Sequence, residues 1–143
     1  MMENTNEMTI IFDSRPTNEA LARVAVASFC TQLNPTLEVM ADVKTAVSEA
    51  VTNAIVHGYQ NKPGKVRMQC TIEGDTMTVV VEDSGIGIED VEKARQPFYT
   101  TGPREERSGM GFAVMEAFMD SLHVESSQGR GTRVEMKKKA VPG

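Results

Sequence analysis

Apolar residues recur along this chain with two periods, and the changes of period divide it into elements. Val66, Met68, Cys70 and Ile72 alternate with Arg67, Gln69 and Thr71, the period of a half-buried strand. Gly74-Asp75 makes a tight turn into Met77, Val79 and Val81, so two strands form a hairpin. Upstream, Val43, Val47, Val51 and Ile55 recur at every fourth residue in a helix opened by Thr36 and running to Gly58. An earlier helix, with Thr17 or Asn18 as its cap, carries Leu21, Val24, Phe29 and Leu33 and breaks at Asn34-Pro35. Met8 to Phe12 reads as an edge strand, and a further helix starts near Met110 and continues through Val114 and Phe118. Leu122, Val124, Val134 and Met136 predict a closing hairpin turned around Gln128 to Gly131. The stretch from Glu92 to Ser108 is polar, with Pro97, Gly102 and Pro103, and reads as a mobile loop. Helices come first and strands later, which predicts helices on one face of a mixed, mostly antiparallel sheet.

The 143 residues are one domain's worth of chain, and 40% hydrophobic with 24% charged residues is a globular composition. Twenty acids against fifteen bases give a net charge of −5, so there is no general electrostatic footprint for nucleic acid. Lys137, Lys138 and Lys139 are read as a solvated chain end. Cys30 and Cys70 are far apart without a CxxC pair, which speaks against a structural disulfide or zinc site, and Cys70 reads as a core thiol. The amino-terminal segment lacks the basic patch and apolar run of a signal peptide, and no uncharged stretch reaches the ~20 residues of a membrane span. A cytoplasmic protein is expected.

Glu49, Asn53 and His57 stack on one helix face at i, i+4 and i+8, about 200° from the valine stripe on a 100° step per residue. Alone, the stripe reads as a solvated face. Ala46, Ala50 and Ala54 flank it with small side chains, however, and leave room for a ligand. A carboxylate and a carboxamide one turn apart suit a hydroxyl proton and a hydrated Mg²⁺ over phosphates, since Mg²⁺ takes one or two protein oxygens and the rest from water and phosphate. His57, beside Gly58, is expected at the helix's carboxyl end.

Three glycine clusters follow. Asp83-Ser84-Gly85-Ile86-Gly87 comes directly after a strand; by itself it reads as an Asp-Gly turn, or, since two glycines let a flat ligand approach, as a site where Asp83 accepts from an exocyclic amine such as adenine's. Ser108-Gly109-Met110-Gly111 precedes an apolar helix, where backbone N–H groups suit phosphate oxygens, and Arg107 stands beside it. Gly129-Arg130-Gly131-Thr132 is by itself a hairpin turn. Neither the Rossmann nor the P-loop spacing is present.

The combination of an ExxxN helix, DxGxG after a strand, GxG before a helix and GxGT in the last hairpin resembles the gyrase/Hsp90/histidine-kinase/MutL ATP-binding superfamily along nearly the whole chain. Within it, VSEAVTNAIVHGY (47–59), EDSGIGI (82–88), ARQPFYTT (94–101) and RSGMGFAVMEAFMD (107–120) resemble the bacterial anti-sigma factor serine kinases. ARVAVASF (22–29) is similar to the first helix of the sporulation type, with the stress-response type as the neighbouring alternative.

The resemblance implies an α/β two-layer sandwich that binds ATP with Mg²⁺, forms a homodimer, holds a sigma factor inactive and phosphorylates a serine of an anti-anti-sigma protein. It implies Glu49 as general base and Asn53 as magnesium ligand. Asp83 matches the adenine-reading carboxylate, with Gly85 and Gly87 as its turn and Thr132 as the last adenine-pocket position. Gly109, Met110 and Gly111 match the phosphate side, Arg107 faces the terminal phosphate, and Thr100 and Thr101 complete the nucleotide contacts. Arg23 aligns with a partner-contacting arginine of the first helix; Gly102 and Arg104 depart from the lid residues common in relatives. The competing classes are an ATPase clamp with water as nucleophile, a histidine-kinase catalytic domain, and a sigma-binding module in which nucleotide only regulates association.

Overall fold

The computed structural model describes residues 4–96 and 111–140. Its elements are β1 (Thr5–Asp13), α1 (Asn18–Cys30), α2 (Leu37–Asn53), β2 (Lys65–Glu73), β3 (Thr76–Asp83), α3 (Val91–Ala94), α4 (Gly111–Phe118), β4 (Ser121–Ser127) and β5 (Gly131–Lys139). The five strands lie in the order β1-β2-β3-β5-β4, and helices cover one face, giving the expected two-layer α/β class. Every ladder among them is antiparallel, so the sheet is antiparallel throughout rather than mixed.

Strand alternation builds the core. Val66, Met68, Cys70 and Ile72 of β2 and Met77, Val79 and Val81 of β3 are all buried against α1, α2 and α4. The α2 stripe of Val43, Val47 and Val51 meets them fully buried, and Thr36 caps that helix by accepting the Val39 N–H at 3.1 Å. Both cysteines are free and buried, and burial pushes the Cys70 thiol up to about 12, so it is inert at neutral pH. No helix among the described residues is long and apolar enough to cross a membrane.

Three expectations change. On α1 the inward face is Ala22, Val26, Phe29 and Cys30, whereas Leu21 (51%) and Val24 (66%) are exposed. The small Ala22 lets α1 approach its neighbours closely, which sets its rotation against the larger Leu21. Lys137 to Lys139 are not a loose end but the last rungs of β5, paired with Thr78, Met77 and Thr76. Lys138 donates to the Phe118 carbonyl at 2.7 Å and lies 3.4 Å from Asp42. Finally, the long second helix stops as an α-helix at Asn53 and continues to Gly58 as one wider π turn.

The sheet registers explain where a site opens. One cross-strand row on the covered face, Ile10–Met68–Val81–Val134–Val124, is apolar from edge to edge. The next row starts apolar and turns polar: Phe12, Val66, Asp83, Thr132, Ser126. A row that abandons hydrophobic side chains on the helix-covered face is where a polar ligand is accommodated instead of core.

Candidate nucleotide site

A cleft lies over that polar row, between the end of α2, the turn after β3, the start of α4 and the β4–β5 hairpin. Ala50, Asn53, Ala54, His57 and Gly58 line it from the helix, Asp83 and Ile86 to Glu89 from the turn, Ala94 from α3, Phe112 from α4, and Gln128, Thr132 and Val134 from the hairpin. Of the three alanines flanking the stripe, Ala50 and Ala54 line the cleft beside Asn53, whereas Ala46 does not.

Asp83 ends β3 with its carboxylate held in place. Its Oδ1 accepts the Gly85 N–H at 2.9 Å, and the Thr132 N–H is a second donor to the carboxyl. Burial pushes the Asp83 carboxyl up to about 6, against the downward pull of those two N–H groups. Gly58 is a glycine because of this carboxylate: a Cβ there would stand 2.7 Å from Asp83 Cγ. A Cβ on Gly85 would strike the Gly58 carbonyl, so the π turn and the turn after β3 are in backbone contact. The Ile86 N–H donates to that same carbonyl at 2.9 Å. Gly87 sits at φ +77° against the Ser127 carbonyl, where only glycine fits.

Asn53 contributes the other polar pole. Its Nδ2 is buried and has no hydrogen-bond partner among the described residues, although such groups normally find one. A half-turn of the carboxamide exchanges nitrogen and oxygen, so the buried end can offer either to a ligand. The carboxamide fits a Mg²⁺ held mainly by phosphate and water.

The remaining site residues divide as follows. Gly111 opens α4 directly against Asn53. Glu49 is half-buried one turn before Asn53 but is not among the cleft-lining residues. His57, expected only to finish the helix, lines the cleft. Arg23 is on the outer side of α1, 3.7 Å from Glu19, and Glu19 in turn accepts the Ser48 hydroxyl of α2. Thr100, Thr101, Gly102, Arg104, Arg107, Gly109 and Met110 lie outside the described residues. The two flanks of that segment are tied by Arg95 and Glu116 at 3.3 Å.

Two groups escaped sequence reasoning. Tyr59, whose hydroxyl accepts the Ser84 N–H at 2.7 Å and donates to the Lys65 carbonyl, was legible only as part of a longer motif. Ser126 carried no signal in the sequence at all.

The chain is similar to known proteins in sequence and in fold. Residues 12–138 match the histidine kinase-like ATPase domain family. The anti-sigma F factor of Clostridium kluyveri is 59% identical over 133 residues, 93% of this chain and 94% of that protein. That of a Thermoanaerobacter species is 56% identical over 137 residues, 96% of each. Among solved structures, the RsbU and RsbW domains of Rv1364c from Mycobacterium tuberculosis superpose with a TM-score of 0.67 at 18% identity, over 94% of this chain. This chain spans only 32% of that structure, and the likeness concerns the fold. The chain therefore belongs to the histidine kinase-like ATPase domain family and, within it, to the anti-sigma F factors.

Proposed function

We propose that this chain binds ATP with Mg²⁺ in the cleft, holds a sporulation sigma factor inactive, and phosphorylates a serine of an anti-anti-sigma protein, acting as a homodimer in the cytoplasm. The observation that carries the nucleotide reading is the convergence on one cleft of a fixed carboxylate acceptor, Asp83, and a buried unsatisfied carboxamide, Asn53. The names of the relatives support the sigma-factor partner.

In this reading Asp83 accepts from the adenine amine, Thr132 completes the base pocket, and Gly85 and Gly87 let the ring lie close. Asn53 would hold the metal, which would neutralise charge on the phosphate oxygens. Arg107, Thr100 and Thr101 and the N–H groups of Gly109, Met110 and Gly111 hold the phosphates where charge develops. Glu49 takes the hydroxyl proton of the incoming serine as its oxygen bonds to the terminal phosphorus and ADP departs. Arg23, exposed on α1 beside Leu21 and Val24, belongs to a surface for protein partners.

The test is incubation with γ-labelled ATP and the anti-anti-sigma protein. Label on a serine of that protein supports the kinase; free phosphate alone overturns it in favour of a hydrolase. The alternative is sequestration regulated by nucleotide with little transfer, which asks no chemistry of Glu49. A chain that blocks the sigma factor without labelling any partner would select it.

A further inference from the structure

The turn from Asp83 to Ile88 carries the base side of the proposed site, and hydroxyl groups from other elements hold its backbone at both ends. Ser84 N–H donates to the Tyr59 hydroxyl at 2.7 Å, and Ile88 N–H donates to Ser126 Oγ at 2.8 Å. Ser126 has two further contacts, with the Gly131 carbonyl at 2.8 Å and with Thr132 Oγ1 at 2.8 Å.

A serine hydroxyl has one proton and two lone pairs. The Ile88 N–H only donates, and the Gly131 carbonyl only accepts. The Ser126 proton therefore goes to Gly131, and the bond between the two hydroxyls is donated by Thr132. With its proton committed to Ser126, Thr132 offers the cleft lone pairs alone. Its strand partner Asp83, which receives the Thr132 N–H, likewise presents acceptors.

We propose that Ser126 is a positioning residue for base selection: it fixes the Thr132 hydroxyl as an acceptor and anchors the Asp83–Ile88 turn, so that the cleft favours a base bearing an amine over one bearing a carbonyl at that edge. This deepens, and rests on, the assignment of the cleft to ATP. Inosine triphosphate is the suitable probe, because it replaces adenine's amine with a carbonyl and keeps the sugar and phosphates.

The experiment is calorimetric titration of ATP and inosine triphosphate into the parental chain, Ser126→Ala and Ser126→Thr. In Ser126→Ala the Thr132 proton is released and able to meet the carbonyl. The preference for ATP is expected to fall about tenfold, the size of one neutral hydrogen bond. Ser126→Thr keeps the hydroxyl and is expected to keep the preference. An unchanged preference in Ser126→Ala, whatever happens to its melting temperature, overturns the role of Ser126 alone. A parental chain that does not prefer ATP overturns the ATP assignment and this inference together. Should Ser126→Ala not fold, amide exchange of Ile88 in the nucleotide-free parental chain decides: protection supports a turn anchored in advance, and exchange as fast as in an open loop overturns it.

Discussion

Gly111 stands against the side chain of Asn53 so closely that a methyl group on Gly111 would lie 2.9 Å from Nδ2 and 3.1 Å from Oδ1. The first residue of α4 thus leaves the carboxamide of α2 the space to meet a ligand, and the two helices share one pole of the cleft.

Gly111→Ala is expected to separate binding from stability. At the first position of α4, alanine gains only part of its interior helix preference of about 1 kcal/mol, and the carboxamide end is free to yield by a few tenths of an ångström. Thermal stability should hold or rise, while magnesium-dependent nucleotide affinity falls several-fold. Asn53→Ala should weaken the same affinity more strongly. Calorimetry with and without Mg²⁺ checks both, and affinity unchanged in Asn53→Ala would remove that residue from the site.

Gly58→Ala faces a neighbour that does not yield. The added methyl would sit 2.7 Å from Asp83 Cγ, and that carboxylate is fixed by Gly85 and Thr132. Overpacking of this kind costs about 1–3 kcal/mol. Denaturant unfolding should show that loss, and ATP affinity should fall with it.

Asp83 makes both stability and binding pH-dependent, in opposite senses. Its folded pKa, about 6, lies above the ordinary aspartate value of 3.8. Between these values the folded chain holds more proton than the unfolded one, so stability contributed here falls as pH rises from about 4 through 6. The full effect is about 3 kcal/mol, present as a penalty at neutral pH. Asp83→Asn should remove that pH dependence from urea midpoints measured across the window. ATP binding runs the other way, because a protonated carboxyl no longer offers both oxygens to the adenine amine. Affinity should weaken as pH falls through 6 in the parental chain.

Glu49→Gln keeps the shape of the side chain and loses the base. ATP affinity is expected to stay within two-fold or so, since Glu49 is not a cleft-lining residue, whereas phosphoryl transfer should drop ~10²–10⁴-fold. Transfer to the anti-anti-sigma protein at the parental rate would show that another group takes the proton. Inhibition of transcription should survive the substitution.

Much of this was legible in the sequence because period and punctuation are local. The alternation at 66–72, the i+4 stripe from Val43 to Ile55, and the turn at Gly74-Asp75 became β2, α2 with its π turn, and the first hairpin. Asn53, Asp83, Gly85, Gly87 and Thr132 stood out as a set only through the family resemblance, because each motif alone also reads as an ordinary helix face or turn. What escaped depends on packing. Leu21 and Val24 look inward-facing by hydrophobicity, but α1 turns its small Ala22 to the core. The lysine run looks like a tail until the β3–β5 register shows it pairing. Ser126 is ordinary in sequence, and its importance exists only once Ile88, Gly131 and Thr132 surround it.

Amide chemical shifts recorded during titration of nucleotide and Mg²⁺ test the placement of the ligand most directly. Saturable shifts should concentrate on Gly58, Gly85, Gly87, Ile88, Gly111 and Thr132, around the polar end of one cross-strand row. Shifts centred instead on Arg67, Gln69 and Thr71, on the sheet face away from the helices, would contradict a nucleotide held in this cleft.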